Sequence, residues 1–289
     1  MCRWRGDVGR VWRSLPVFSW PPGSQTVGRC CEASQSVIVC LLTQHTPNLR
    51  FCAMPWTIPS HITLPRDFVG FDPASSVPQQ EFSQYTRHLP HWRLSGACYL
   101  ATFRLADSIP RTVLDEISRE AERWKLEFAR HEGSLPAHLA AAWHEFERSR
   151  LRKLESVLDE CHGECLLRDR AHRQVVIDAL HHFEGDRSEM LAHVVMPNHV
   201  HVLCRPLGEH RLEELCGSWK WFTSQSIQRS LGRTGALWQD ESFDRIIRDE
   251  AHYTTAVRYI AKNPIQAKLG ENEATVWFCD AIHEANAPL

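Results

Sequence analysis

VVMPNHVHVLCRPL, residues 194–207, sets two histidines one valine apart inside a run of β-formers. Two runs of β-formers meet at Pro197-Asn198, a dipeptide that favours a turn. EMLAHVVM (189–196) therefore reads as one strand and HVHVLCR (199–205) as the returning strand of a hairpin. Side chains at i and i+2 of a strand share a face. His199 and His201 project together, while Val200 and Val202 project to the other side. Two imidazoles on one face either line a half-solvated sheet surface or converge on a metal ion. With 17 histidines in the chain, chance supplies about one such pair, so the spacing alone does not choose.

Upstream of the hairpin, ACYLATFRL (97–105) alternates as a strand, with Tyr99, Ala101 and Phe103 on one face. Ser108 followed by Ile109-Pro110 marks a helix start. Val113, Ile117, Ala121, Trp124 and Phe128 then follow at helical spacing up to Gly133. A second helix is predicted over about 137–159, with RSRLRK (148–153) on its polar face, and a third over about 170–183. Downstream, 211–231 is an amphipathic helix with Leu212, Leu215, Trp219 and Ile227 inward. SFDRII (242–247) is a strand. Asp249 caps a last helix, 250–262, which stops short of Pro264 because proline disfavours helix in the residue before it. With the extra helices set aside, the order is β-α-β-β-α-β. This predicts an α+β chain: a ferredoxin-like antiparallel sheet with helices on one face, a helical insertion at about 106–185 and a C-terminal helix.

Composition excludes several classes. The apolar fraction is 43% and the formal net charge is -2, so nucleic acid is bound, if at all, through a local patch. No run approaches the length of a membrane span, and the first 20 residues lack the apolar core of a signal peptide. The eleven cysteines form no secreted-type framework and read as reduced thiols of a cytoplasmic protein. CHGEC (161–165) has one thiol pair and no second, a poor zinc pattern. Residues 1–53 stand apart, with six arginines, no lysine and two acids. They read either as translated sequence upstream of a start at Met54 or as a basic arm. Proline-rich 54–92 reads as an extended lead-in, so 1–92 is assigned as a poorly structured extension, 93–275 as the domain and 276–289 as a tail.

Two further groups carry chemistry. In YIAKNPIQA (259–267), Tyr259 and Asn263 stand four apart and share a helix face. They suit either a hydroxyl nucleophile beside an amide ligand, or a packing aromatic beside a helix-terminal residue. In GSWKWFTSQSIQRSLGR (217–233), Trp219, Trp221 and Phe222 interleave with Lys220, Arg229 and Arg233. That pattern suits either base stacking with phosphate contacts or an ordinary amphipathic helix with a basic solvated face.

The order of three blocks, VVMPNHVHVL (194–203), LWQDESFDRIIRD (237–249) and YIAKNPIQAKL (259–269), resembles the HUH single-strand transposases with one catalytic tyrosine, and most closely the REP-associated tyrosine transposases. The resemblance spans about Tyr99 to Leu269. It implies a divalent metal, Mg²⁺ or Mn²⁺, held by His199, His201 and Asn263. It implies Tyr259 on the C-terminal helix as the nucleophile, chosen over Tyr253 by its distance from the NP dipeptide. The implied activity is cleavage and rejoining of single-stranded DNA with hairpin or palindromic ends, through a 5′-phosphotyrosine, by a monomer or homodimer that is nucleoid-associated when bound. Trp219, Lys220, Trp238, Arg245 and Arg248 are the expected DNA contacts, with the RSRLRK stripe as a further candidate. Two other readings stay open: a domesticated DNA-binding relative without cleavage, and a metal hydrolase with Tyr259 as bystander. The insertion is longer than in compact members of the family, and 54–289 carries a net charge of -6, unusual for a DNA enzyme.

Overall fold

The computed structural model describes residues 56–59, 62–72, 83–86, 90–131 and 136–283. The expectations for residues 1–53 fall outside these. Its core is an antiparallel sheet of five strands: β3 (Tyr99–Arg104), β4 (Ser188–Val195), β5 (His199–Pro206), β6 (Phe243–Ile246) and β7 (Thr275–Phe278). They lie in the order β6-β3-β5-β4-β7. The first four positions are the split βαβ arrangement expected of a ferredoxin-like α+β fold. A separate hairpin, β1 (Ser83–Thr86) with β2 (Pro90–Arg93), lies within the lead-in that read only as extended chain.

The helices are α1 (Arg111–Arg130), α2 (Ala137–Asp159), α3 (Arg170–His181), α4 (Leu212–Ser230), α5 (Glu250–Gln266) and the short α6 (Asp280–His283). Strand alternation sorts the sheet into two buried faces. On one, Tyr99, Ala101, Phe103, Val200 and Val202 pack against Val176 and Leu180 of α3 and Leu215, Trp219 and Ile227 of α4. On the other, Leu100, Val194 and Leu203 pack against Tyr253, Val257, Ile260 and Ala261 of α5. A register shift between Met190 and Ala192 turns both Leu191 and Ala192 to the α5 side. The two crossover helices thus share one face, and the C-terminal helix closes the other. Among the described residues no helix is long and apolar enough to cross a membrane.

Because α3 is the first crossover helix, the added element is the α1/α2 pair. Trp124 and Phe128 of α1 meet the Trp143 ring of α2 edge-on. Ile109, Val157 and Leu158 form a small core at its base.

Three boundaries differ from the sequence expectation. Ser108 is not the cap of α1. Its buried hydroxyl donates to the Leu105 carbonyl at 2.7 Å, and the helix starts after Pro110, whose fixed φ suits that position. The last helix passes through Pro264. A proline in the final turn removes one amide donor, and the turn still closes through Ala267 N–H to Asn263 O (3.0 Å) and Leu269 N–H to Pro264 O (2.9 Å). The tail expected from 276 instead completes β7, paired to β4 through Ala192–Phe278 and Val195–Thr275.

Candidate active site

The MPNH turn is pinned on three sides. Leu105 N–H donates to the Asn198 carbonyl (2.9 Å), Leu167 N–H to Pro197 O (3.1 Å), and the Asn198 amide to His162 O (3.2 Å). Asn198 is fully buried, so the first histidine of β5 starts from a rigid point. His199 and His201 face α5, on the side of the sheet opposite Val200 and Val202.

Each imidazole is oriented through Nδ1. His199 Nδ1 pairs with Asn198 Oδ1 at 2.8 Å, and because that oxygen only accepts, the ring donates from Nδ1. Its Nε2 then carries a lone pair, is sealed from solvent and makes no hydrogen bond among the described residues. His201 Nδ1 lies 2.7 Å from Thr102 Oγ1 on the adjoining strand, and its Nε2 lies 3.3 Å from the Tyr259 hydroxyl. The two rings stand 4.7 Å apart between centroids. Burial pushes the His199 pKa down to about 4 and that of His201 well below its usual value. Both are therefore neutral near pH 7, the form that binds metals.

Tyr259 and Asn263 come from one face of α5, one turn apart. The Asn263 side-chain N–H donates to the Tyr259 carbonyl at 3.0 Å, and its carboxamide lies by both imidazoles, where it opposes the effect of burial on their pKa values. Tyr253, one face away, has its ring in the core, edge-on to Phe68 at 6.1 Å. The Tyr259 phenol is held protonated. Burial raises its pKa most, the Glu155 carboxylate of α2 adds to this, and Arg245 opposes it. Asp159, a turn beyond Glu155, is itself pushed up to about 6 by burial and by Glu155.

The residues brought together are suited to a cation. A buried ring nitrogen that makes no hydrogen bond is costly unless something fills it. Among the described residues no three His, Cys, Asp or Glu side chains gather at one point. The side chains that could face a cation here are those of His199, His201 and Asn263.

The expected DNA contacts divide. Arg245 is exposed on β6, opposite Leu100 and so on the histidine face, with its guanidinium 5.7 Å from the Phe243 ring centre. Arg248 is exposed just beyond that strand. Trp219 (1% exposed) and Trp238 (6%) belong to the core on the other face, where Trp238 donates to Thr223 Oγ1 and meets Phe103 edge-on. Base stacking by these two, expected from the sequence, fails on burial. The exposed aromatics of α4 are Trp221 and Phe222. Lys220 is on α4 as well and bonds the Asp240 carbonyl at 2.7 Å. The RSRLRK stripe is paired within the insertion: Arg148 and Arg152 share Glu145, Arg150 pairs with Glu147 and Lys153 with Glu116. Thr102, Asn198, Glu155 and Asp159 were not singled out from sequence; the alternation of β3 is the signal that could have paired Thr102 with a histidine.

No family model and no curated protein matches this chain. A solved structure, described as the REP-associated tyrosine transposase bound to a REP hairpin, is similar to it with 17% identity and a TM-score of 0.32, over 64% of this chain and 73% of that one. The likeness is distant, and no residue role follows from it.

Proposed function

We propose that this protein is a metal-dependent DNA strand transferase that cleaves and rejoins single-stranded DNA bearing hairpin ends. The observation that carries this reading is the approach of the Tyr259 hydroxyl to within 3.3 Å of His201 Nε2, beside an unpartnered His199 Nε2 and the Asn263 amide. A hydroxyl so placed serves transfer of a phosphoryl group better than plain hydrolysis, which needs no side-chain nucleophile.

His199, His201 and Asn263 would hold Mg²⁺ or Mn²⁺, which tolerate mixed imidazole and oxygen ligands. When bound, such an ion supplies positive charge that polarises a phosphate and makes the phenolate less costly. The chain's own residues do the rest. Thr102 and Asn198 hold the two rings in place, and the Asn198 oxygen leaves the His199 Nε2 lone pair set before substrate arrives. Burial keeps the Tyr259 phenol protonated and inert until positive charge enters the site. In the transfer, the phenol loses its proton and a bond forms from the Tyr259 oxygen to phosphorus. The bond to the 3′ oxygen breaks, and that oxygen takes up a proton. The phosphodiester energy is kept in the tyrosine ester, so rejoining needs no nucleotide cofactor.

The test uses the whole protein with Mn²⁺ or Mg²⁺ and labelled single strands carrying candidate hairpin palindromes drawn from the flanks of its own gene. A labelled protein band that survives denaturation, and is lost with chelator, is expected. Tight hairpin binding without that band would favour a binding protein that has given up cleavage.

A further inference from the structure

We propose that Arg104 is an anion anchor, binding a backbone phosphate of single-stranded DNA that flanks the one attacked by Tyr259. This deepens the strand-transferase reading and rests on it.

The placement comes from strand register. On β3, Thr102 stands opposite His201 and Arg104 stands opposite His199. The Thr102–His201 contact shows which face of β3 serves the site. Alternation puts the Arg104 side chain on that same face, one step farther from Tyr259. The guanidinium is drawn toward the end of the strand, where Nη1 donates to Ser108 Oγ at 3.3 Å. Its position along β3 therefore suits a flanking phosphate rather than the scissile one.

The second observation is its lack of compensation. Among the described residues no carboxylate pairs with Arg104, and the Ser108 hydroxyl is the one hydrogen-bond partner of its guanidinium. Other partly buried arginines of this fold are neutralised: Arg205 by Glu189 and Arg150 by Glu147. Arg173, which is buried, fills its N–H groups with four carbonyls and the Thr275 hydroxyl. Arg104 does neither, although burial weakens its hold on its proton. Its free N–H groups are not sealed inside the protein, so an anion can reach them. A half-desolvated guanidinium without a counter-charge is costly, and its planar fork matches two phosphate oxygens.

The experiment measures binding apart from chemistry. Tyr259→Phe protein with Mg²⁺ is titrated onto a fluorescent single strand carrying a flanking palindrome, alone and with Arg104→Gln or Arg104→Lys added. Arg104→Gln should weaken binding about tenfold and lower the slope of log affinity against log salt by about 0.7, the share of one single-strand phosphate. Arg104→Lys should recover the slope and part of the affinity. A neutral methylphosphonate placed linkage by linkage near the cut should weaken the parent at one flanking position and leave the Arg104→Gln protein unmoved there. An identical methylphosphonate profile in both proteins overturns the assignment. So does an Arg104→Lys protein as weak as Arg104→Gln with an equal fall in Tm, which marks a structural role. If the parent binds no hairpin and the wild type forms no adduct, the strand-transferase reading falls with it. If wild-type cleavage stands and only the methylphosphonate profile is unmoved, Arg104 alone is wrong.

Discussion

Thr102 Oγ1 and His201 Nδ1 lie 2.7 Å apart across the β3–β5 ladder. The contact leaves Nε2 as the nitrogen that meets Tyr259. A strand neighbour thus sets the ring orientation on which the site depends. Thr102→Val keeps the β-branched shape and removes the hydroxyl. It should retain the fold and lower affinity for Mn²⁺ about tenfold or more, as loss of an outer partner does at other imidazole sites. Calorimetric titration of Mn²⁺ measures this; unchanged affinity would show that Thr102 does not orient the ring.

Two tryptophans two residues apart on α4 should behave oppositely. Trp219 is 1% exposed and Trp221 is 68% exposed. Trp219→Ala should cost about 3–5 kcal/mol of stability through the cavity it leaves. Trp221→Ala should stay within about 0.5 kcal/mol. Urea unfolding separates them, and equal losses would contradict the inward placement of Trp219.

A second buried histidine pair adds to the acid sensitivity of the fold. His193 Nε2 lies 3.1 Å from His181 Nε2, and the His193 ring stacks on Trp277. Burial pushes the His181 pKa down from 6.5 to about 4 and that of His193 well below 6.5. Above pH 6.5 neither the folded nor the unfolded chain protonates them, so they do not alter stability. As pH falls through about 6.5 toward 4, the unfolded chain takes up protons that the fold refuses. Stability then drops by up to about 1.4 kcal/mol per pH unit for each such imidazole. His193→Phe should flatten this acid limb in urea titrations run between neutral pH and about pH 5. A limb as steep as the wild type's would contradict the account, although His199 and His201 add to it in both proteins.

The framework was legible because its signals are local. Strand alternation marked Tyr99, Ala101 and Phe103, and the bounds of α2 emerged as 137–159. The Tyr259–Asn263 pairing followed from helical spacing, and the structure brings both to the histidines. Long-range facts were not legible. β7 is four residues long and forms because β4 offers an unpaired edge, which the residues of 275–278 do not announce. Thr102 and Arg104 gain their meaning from a register with β5 that sequence spacing cannot supply. Trp238 was expected to touch DNA; its burial comes from Phe103 and Thr223, contacts that sequence spacing does not show. The pairing of the α2 stripe was hidden for a related reason, since Lys153 finds its acid, Glu116, on another helix.

The most direct test of the central claim is peptide mass mapping of the protein–DNA adduct after nuclease and trypsin digestion. Cleavage after Arg258 and Lys262 isolates Tyr259 on a short peptide, apart from Tyr253. The account predicts a nucleotide mass on that 259–262 peptide, formed with Mn²⁺ and lost with chelator. Cleaved DNA with no modified tyrosine, or the nucleotide on the peptide of Tyr253, would contradict it.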